Sequence, residues 1–335
     1  MDILGSILLS LLGLLAGSLF LYFGAEGLVK GSSSVAIRKG LTPLVVGLTI
    51  VSFGTSSPEL VVSVSAAIRG NAAIAFGNVV GSNICNIALI LGIAALIRPI
   101  QVNMRVIKTD IMIMIGVTFV LILMILDDGI SRIEGIILFA GIIIYNFVTL
   151  YLAKKETSQN QNKNQNQKEE TVKSSRSWFD LAIILGGLII LVVGAHLFLN
   201  GAIDIARLLG ASDVIIGLSI VALGTSLPEL ATSVVAAIKK EGDISIGNVI
   251  GSNIFNILCI LGVAAIIRPI ELVGANSINF IDIIVMVIVS IILLPLAWSK
   301  LEISRLEGGF LLFIYIGYMY YMYTYRLNEL ESILP

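Results

Sequence analysis

Long apolar runs separated by short polar segments make up almost the whole chain. Each run has about 20 residues or more, which is the length at which a helix crosses a bilayer. Four of the runs carry a polar insertion within the apolar sequence, and in two of them it contains a glutamate. The pattern predicts an all-α polytopic membrane protein with ten transmembrane helices, some of them broken at the membrane midplane, over about 3–27, 41–68, 72–97, 107–127, 133–153, 179–199, 211–238, 243–267, 277–298 and 304–325.

One long polar segment, from Lys154 to Ser177, interrupts this pattern. Its sequence is low in complexity and rich in Gln and Asn, so it cannot bury a core and predicts a disordered linker. The first apolar run carries only Asp2 before Glu26 and has no basic residue ahead of it, which predicts a retained span and not a signal peptide. The linker divides the chain into a first five-helix unit, the linker itself and a second five-helix unit, at 1–153, 154–178 and 179–335.

The two units contain an internal repeat. Gly47–Ile100 and Gly217–Ile270 are identical at 34 of 54 positions without a gap, within repeat cores that we place at 41–100 and 211–270. Such repeats are the usual construction of secondary transporters. Because each unit has an odd number of spans, the second must enter the membrane in the opposite orientation. The repeat is therefore predicted to be inverted, with equivalent residues meeting near the membrane midplane.

The basic residues give the expected orientation. Of the 21 Lys and Arg, 16 fall in or beside the loops after spans 1, 3, 5, 7 and 9, and 5 fall elsewhere. By the positive-inside rule, both termini face outward and the 154–178 linker is cytoplasmic. We expect the membrane to be the cell (plasma) membrane.

The composition supports this class and argues against others. The chain is 57% hydrophobic and 13% charged with a mean hydropathy of +1.01, which is typical of an integral membrane protein. A net charge of −1 gives no electrostatic reason to expect a nucleic-acid partner. Cys85 and Cys259 both fall in predicted spans, so we expect neither a disulfide framework nor a cysteine metal site. We expect the lipid bilayer as surroundings, a monomer, and no bound cofactor.

The first polar motif, Gly54-Thr55-Ser56-Ser57-Pro58-Glu59-Leu60, recurs at 224–230 with one substitution. Pro58 cannot donate to the carbonyl of Gly54, which predicts a kink and free carbonyls, including those of Ser52 and Gly54. Thr55 and Glu59 lie four residues apart and share a helix face. Carboxylate, hydroxyl and carbonyl oxygens are ligands that suit Ca²⁺ or Na⁺.

The second motif, at 77–86 and again at 247–256, has the pattern G-N-V-x-G-S-N-I-x-N. Gly77 and Gly81 predict close backbone approach and a break between half-helices. Ser82 and Asn86 add a hydroxyl and an amide oxygen on one face. With Thr225, Ser226, Glu229, Ser252 and Asn256 from the second unit, the pattern predicts one oxygen-lined cage.

Charge indicates what such a cage would do. Glu59 and Glu229 together carry −2, which one Ca²⁺ or two Na⁺ would neutralise. Empty and ionised, the pair would repel and lose its solvation, so the empty site resists crossing the membrane and exchange is favoured over leak. A purely structural role for the pair is the competing interpretation, and the repetition and the flanking ligands argue against it.

The motifs resemble the signature of the cation/Ca²⁺ exchanger superfamily, specifically its prokaryotic Na⁺/Ca²⁺ exchangers. The resemblance covers the two repeat cores closely and the ten-span architecture more loosely. It implies a Na⁺/Ca²⁺ antiporter that works by alternating access and extrudes Ca²⁺, in which spans 1 and 6 slide across the other eight.

The resemblance also implies a ligand set. Glu59 and Glu229 resemble the paired carboxylates that bind Ca²⁺. Thr55 and Thr225, with the carbonyls of Ser52 and Ala222, resemble their companions. The residues that resemble Na⁺ ligands are Ser56, Ser82, Asn86, Ser226, Ser252 and Asn256.

Two positions separate branches of this superfamily. Members that co-transport K⁺ resemble this chain but carry Asp where it has Asn256, so K⁺ coupling is not expected. H⁺-coupled members have a Glu where this chain has Gly81 or Gly251, which argues against proton coupling.

Other functions remain open at this stage. The first alternative is an H⁺/Ca²⁺ exchanger or an exchanger of another divalent cation. A cation channel could use similar carboxylates and carbonyls, although an inverted repeat within one chain favours a carrier. An intramembrane hydrolase using Ser56 or Ser226 lacks a plausible base, since the only histidine, His196, is distant in sequence. We therefore expect no enzyme activity.

Overall fold

The computed structural model describes residues 3–127, 129–163, 177–209, 222–272 and 280–333. These residues are mostly helical. The α-helices are α1 Ile3–Lys39, α2 Pro43–Val46, α3 Ser52–Thr55, α4 Ser57–Ile68, α5 Ala72–Ile84, α6 Gly92–Ile97, α7 Met112–Met124, α8 Arg132–Lys163, α9 Ser177–Leu208, α10 Ala222–Gly224, α11 Leu227–Ile238, α12 Gly242–Phe255, α13 Gly262–Ile267, α14 Phe280–Lys300 and α15 Arg305–Ile333.

Shorter elements join or interrupt these helices. π-Helical turns occur at Gly47–Val51, Cys85–Leu91, Val106–Ile111 and Asn256–Leu261, and a 3₁₀ turn at Ile125–Asp127. The strands are β1 Ile100–Gln101, β2 Gly129–Ile130, β3 Ile270–Glu271 and β4 Glu302–Ile303. β1 pairs antiparallel with β4, and β2 pairs antiparallel with β3. Each pair joins a loop of the first unit to a loop of the second.

The described helices have the length and apolarity of membrane spans. Seven of them could cross a bilayer, and an eighth is the bent pair formed by Pro43–Thr55 and Ser57–Ile68. These eight fall on predicted spans 1 to 6, 8 and 9. Predicted span 7 is described only from residue 222, and its helix α11 has 12 residues. The helix α15 covers predicted span 10. The chain is therefore a multi-pass membrane protein.

The repeat cores lie at the centre of the bundle. In the most apolar 18-residue stretch of Gly242–Ile267, 83% of the residues are buried within the protein, and in that of Ile74–Ile97 the share is 72%. For Val106–Asp127 it is only 28%. The spans that carry the second motif are thus surrounded by other helices, while the outer spans present aliphatic side chains to lipid.

The predicted linker is partly helical, which corrects the prediction of disorder at its start. The helix α8 continues through residues 154–163 to Lys163, and residues 164–176 lie outside the described part of the chain. The residues Ala153, Lys154, Lys155 and Glu156 are good helix formers, so the helix can continue beyond its apolar section. α1 and α9 likewise run past the predicted ends of their spans, to Lys39 and Leu208.

α1 and α9 form a long antiparallel pair at the edge of the bundle. Glycines recur every seven residues along the shared face, at Gly17, Gly24 and Gly31 of α1 and at Gly187, Gly194 and Gly201 of α9. A Cβ atom on Gly24 would lie 2.7 Å from the backbone nitrogen of Leu191 and 2.8 Å from the carbonyl oxygen of Gly187. Small residues let membrane helices approach this closely.

We expect Gly24→Ala to loosen this helix pair. The added methyl must displace backbone atoms of α9, but the pair lies at the lipid-facing edge and can separate, so the expected loss of stability is about 1 kcal/mol. The thermal unfolding midpoint in detergent measures it. Gly186→Ala is the matched control, because no described atom beyond the adjacent backbone of its own helix lies within 4 Å of a Cβ there. Equal midpoints for the two variants would show that the close approach at Gly24 contributes nothing.

Candidate cation site

The first motif forms a bend inside its span, as predicted. α3 ends at Thr55, Ser56 adopts φ −82° and ψ 7°, and α4 begins at Ser57 with Pro58 in its first turn. The two segments are bent by 46°. Ser226 in the second unit has nearly the same backbone angles, φ −87° and ψ 6°, ahead of α11. Both units therefore place the motif glutamate in the first turn of a helix that follows a break.

The break does not free every predicted carbonyl. The carbonyl of Ser52 accepts a hydrogen bond from the Ser56 N–H at 3.0 Å, so it stays within the helical ladder. This corrects the prediction for Ser52, because the N–H missing at Pro58 belongs opposite Gly54. The second lone pair of the Ser52 oxygen has the Thr55 hydroxyl 3.4 Å away, but that hydroxyl has a closer acceptor in Asn248 Oδ1 at 3.0 Å, so this lone pair stays available to a ligand.

The second motif is not broken at its glycines. α5 runs without interruption from Ala72 through Gly77 and Gly81 to Ile84, and the irregularity is the π-helical turn that begins at Cys85. The prediction of a break at Gly77 and Gly81 is therefore wrong. A π turn accommodates the extra residue within a continuous helix, and such turns are frequent at functional sites.

The predicted close approach occurs at the equivalent glycines of the second unit. A Cβ on Gly247 would lie 2.8 Å from the Leu44 carbonyl oxygen, and one on Gly251 would lie 2.6 Å from the Leu48 carbonyl oxygen. For Gly77 and Gly81, the corresponding positions 214 and 218 lie outside the described residues.

The structure brings most of the predicted site residues together in the interior. Glu59 and Glu229 are each 1% exposed. Thr225 is partly buried, and Ala222 is described only as the first residue of α10. The other predicted residues are buried, namely Ser52, Thr55, Ser56, Ser82, Asn86, Ser226, Ser252 and Asn256.

Hydrogen bonds cross between the two units at the glutamates. The Ser56 hydroxyl donates to Glu229 Oε1 at 2.8 Å, and the equivalent Ser226 hydroxyl donates to Glu59 Oε1 at 3.2 Å. Ser226 also lies 3.5 Å from the Ser82 hydroxyl. Contacts exchanged in this reciprocal way are those of a twofold arrangement. Each carboxylate is thus held by the serine of the opposite motif.

Two asparagines outside the predicted ligand set support the glutamates through structural hydrogen bonds. Asn78 Nδ2 donates to the Glu59 carbonyl at 3.3 Å and to the Ser63 hydroxyl, and Asn248 Nδ2 donates to the Glu229 carbonyl at 3.3 Å. Asn248 Oδ1 also accepts a hydrogen bond from Thr55 at 3.0 Å. Their position directly after the first glycine of both copies of the second motif was the available signal.

The site retains acceptor oxygens that no protein donor satisfies. Among the described residues, no hydrogen-bond partner is found for one oxygen on each glutamate, the amide oxygen of two asparagines and one serine hydroxyl. Buried polar atoms almost always have a partner, so such a group of acceptors requires an explanation. The unsatisfied atoms are Glu59 Oε2, Glu229 Oε2, Asn86 Oδ1, Asn256 Oδ1 and Ser252 Oγ.

These atoms have the chemistry of a hard-cation site. Carboxylate, amide and hydroxyl oxygens are the groups that coordinate Ca²⁺ and Na⁺. No three or more His, Cys, Asp or Glu side chains come together within the described ranges. An ion held between Glu59 and Glu229 would therefore need neutral oxygens to complete its shell.

We expect Ser56→Ala to weaken cation binding about tenfold, since a hydrogen bond to a charged group contributes about 1.5–3 kcal/mol. The change removes the donor that fixes Glu229 and one hydroxyl oxygen. Ser57→Ala is the matched control, because the Ser57 hydroxyl donates to the Phe53 carbonyl and lies outside the site. Titration of Ca²⁺ against purified protein measures both. Equal affinities for the two variants would remove Ser56 from the site.

Other residues from the sequence analysis lie outside this centre. His196 is exposed and lines an apolar cavity of about 280 Å³ that also reaches Pro58 and Thr225. Its repeat equivalent, Glu26, accepts a hydrogen bond from Lys239 at 2.6 Å. Cys85 and Cys259 are free thiols packed in the core.

The fold and the site together define a multi-pass membrane protein built around a buried, oxygen-lined centre. A family model described as "Sodium/calcium exchanger protein" matches residues 9–151 and 179–324. The chain belongs to the sodium/calcium exchanger family, a family of transporters.

Curated relatives and solved structures agree with this assignment. The sodium/calcium exchanger MaX1 of Methanosarcina acetivorans is 35% identical over 339 residues, with 91% of this chain and 96% of the relative covered. The inner membrane protein YrbG of Escherichia coli is 34% identical over 319 residues, with coverages of 91% and 95%. A structure of the sodium-calcium exchanger NCX_Mj, soaked with Na⁺ and Sr²⁺, has a TM-score of 0.79 at 34% identity, with coverages of 92% and 97%.

Proposed function

We propose that the chain is a secondary active antiporter that exchanges Na⁺ for Ca²⁺ by alternating access and extrudes Ca²⁺ from the cytoplasm. The observation that carries the proposal is the pair of buried glutamates, Glu59 and Glu229, each with one unsatisfied oxygen, in a member of the sodium/calcium exchanger family. The relative MaX1 is itself described as a sodium/calcium exchanger.

The proposed ligand set is centred on these carboxylates. Glu59 and Glu229 would bind Ca²⁺, with the hydroxyls of Thr55 and Thr225 and the carbonyls of Ser52 and Ala222 as companions. The unsatisfied oxygens on Asn86, Asn256 and Ser252 support a wider set of Na⁺ ligands. That set comprises Ser56, Ser82, Asn86, Ser226, Ser252 and Asn256.

The electrostatics of this centre favour exchange. Two carboxylates are buried, the hydrogen-bond donors that the described residues offer them are neutral serine hydroxyls, and a buried uncompensated charge is costly. One Ca²⁺ or two Na⁺ would cancel the charge of −2. The loaded carrier can then change conformation, while the empty carrier retains the unfavourable charge. This difference couples the movement of one cation to the return of the other.

We infer a ten-span architecture of two inverted five-helix units, at 1–153 and 179–335, that meet near the midplane. The strand pairs support it. In the ten-span scheme β1 and β4 lie in the loops after spans 3 and 9, on one face, and β2 and β3 lie in the loops after spans 4 and 8, on the other. Paired strands must lie on the same side of the membrane, so both pairs agree with the alternation.

The same scheme assigns the orientation and the moving parts. We place the protein in the plasma membrane as a monomer, with both termini extracytoplasmic and the 154–178 linker cytoplasmic. We assign alternating access to α1 and α9, which pack mainly on each other and present aliphatic side chains to lipid. Their movement across the repeat cores would open the site to either face.

The test is uptake of radiolabelled Ca²⁺ into proteoliposomes loaded with Na⁺, with Na⁺, K⁺ or choline outside. Uptake that requires the outward Na⁺ gradient supports Na⁺/Ca²⁺ exchange. Uptake driven by a proton gradient alone would instead assign the chain to H⁺/Ca²⁺ exchange. Ca²⁺ flux that depends on no counter-ion would indicate a cation channel and contradict the proposal.

A further inference from the structure

Four buried asparagines, two from the second motif of each unit, form a hydrogen-bonded group. Asn256 Nδ2 donates to Asn83 Oδ1 at 3.0 Å, and Asn86 Nδ2 donates to Asn253 Oδ1 at 3.0 Å. Asn83 Nδ2 donates to the Asn253 carbonyl at 3.4 Å, and Asn253 Nδ2 donates to the Asn83 carbonyl at 3.5 Å. All four residues are 1% exposed.

The direction of these bonds follows from the two backbone carbonyls. A carbonyl only accepts, so the Asn253 carbonyl requires Asn83 to turn its NH₂ group toward it. Asn83 must then present its amide oxygen to Asn256, and Asn256 must donate to it with its own NH₂ group. The amide oxygen of Asn256 therefore points away from the four asparagines. The same sequence of bonds, starting at the Asn83 carbonyl, orients Asn253 and then Asn86.

The NH₂ groups of Asn83 and Asn253 also contact methionine sulfurs. Asn83 Nδ2 lies 3.9 Å from Met286 Sδ, and Asn253 Nδ2 lies 3.5 Å from Met114 Sδ. A thioether is a weak acceptor and cannot donate, so it is compatible with an NH₂ group and offers nothing to an amide oxygen. Both sulfurs therefore favour the orientation that the carbonyls impose.

We propose that Asn83 and Asn253 are positioning residues that fix the amide orientation of Asn256 and Asn86, so that their oxygens, and not their NH₂ groups, face the cation. The inference rests on the proposed function, since it assigns Asn86 and Asn256 to the cation site. The unsatisfied atoms of those two residues are Asn86 Oδ1 and Asn256 Oδ1, as this orientation requires.

The orientation matters because the two ends of an amide have opposite effects on a cation. The oxygen can coordinate Na⁺ or Ca²⁺, whereas the NH₂ group presents hydrogens and repels it. Without Asn83, nothing in the group would hold the NH₂ of Asn256 away from the site. An aspartate at position 256 has two equivalent oxygens and needs no such orientation.

A double-mutant cycle tests this, with cation-dependent thermal stabilisation of the purified full chain as the measurement. Asn83→Leu should raise the Na⁺ concentration at half-maximal stabilisation about tenfold, as expected for the loss of one interaction with a charged group. In an Asn256→Asp background, Asn83→Leu should shift this Na⁺ concentration less than about twofold, because the effects of coupled residues are not additive. A role in packing alone would give equal shifts in both backgrounds and overturn the inference.

Asn253→Leu is the matched control. The amide oxygen of Asn253 accepts a hydrogen bond from Asn86 and not from Asn256. The loss of Na⁺ affinity caused by Asn253→Leu should therefore persist in an Asn256→Asp background and shrink in an Asn86→Asp background. If Asn83→Leu does not fold, the Asn253 and Asn86 pair provides the same test from the other unit. A wild type that neither Na⁺ nor Ca²⁺ stabilises would contradict the proposed function itself, which separates that failure from a loss of coupling alone.

Discussion

Replacing either buried glutamate with glutamine is expected to abolish Ca²⁺ transport. Glu59→Gln or Glu229→Gln halves the charge of the site and leaves the remaining carboxylate without its partner. The expected loss in Ca²⁺ affinity is about 3 kcal/mol or more, on the order of a hundredfold, as for breaking a buried charged pair. Ca²⁺ uptake into Na⁺-loaded proteoliposomes measures the effect in both variants.

The control for this experiment is a glutamate outside the site. Glu134 caps the start of α8, where it accepts a hydrogen bond from the Ser131 backbone N–H at 2.8 Å, and glutamine can replace it in that role. Glu134→Gln should transport as the wild type does. Transport that survives in Glu59→Gln and Glu229→Gln would exclude the paired carboxylates as the Ca²⁺ site.

Gly251→Ala is expected to have the second largest effect, on stability. Its Cβ would lie 2.6 Å from the Leu48 carbonyl oxygen and 2.7 Å from the Ser52 hydroxyl. Both belong to the central crossing of the repeat cores, where helices on all sides prevent separation. We expect a loss of about 3 kcal/mol in the free energy of unfolding, at the upper end for overpacking. The thermal unfolding midpoint of the detergent-purified protein measures it.

Gly116→Ala serves as the comparison, since this glycine also lies inside a transmembrane helix and no described atom beyond the adjacent backbone of that helix is within 4 Å of an added Cβ. It should unfold at the wild-type temperature. Because Gly251→Ala also pushes on Ser52, any folded fraction should bind Ca²⁺ more weakly. A Gly251→Ala variant as stable as Gly116→Ala would show that the cores do not cross as closely as described.

The spans and the first motif were predictable because their signals are local. A run of about 20 apolar residues identifies a span by itself. Pro58 determines the bend at Ser56 through an N–H that it lacks, and the structure has that bend in the predicted place. The burial of Glu59 and Glu229 followed from their position within such runs.

The predictions that were wrong concern the backbone between elements. The sequence suggested breaks at Gly77 and Gly81, but α5 continues and a π turn begins at Cys85. A glycine permits a break without requiring one, and the choice depends on how the neighbouring helices pack. In the same way, apolar runs do not show where a helix ends in water, so α8 extends beyond its span through polar residues to Lys163.

The hydrogen-bond partners of the site could not be predicted from the sequence. The pairs Ser56 with Glu229 and Asn83 with Asn256 are separated by 173 residues each, so only the three-dimensional packing brings them together. The repeat predicted that equivalent residues would meet. The sequence analysis placed Asn86 and Asn256 in the proposed cation site, but it did not predict that Asn83 and Asn253 would orient their amide groups.

The most direct test of the central claim is release of radiolabelled Na⁺ from proteoliposomes when Ca²⁺ is added outside. The account predicts Na⁺ release that requires external Ca²⁺ in the wild type and in Glu134→Gln, and no such release in Glu59→Gln or Glu229→Gln. Na⁺ release that does not depend on Ca²⁺, or Ca²⁺-dependent release that persists without either glutamate, would contradict it.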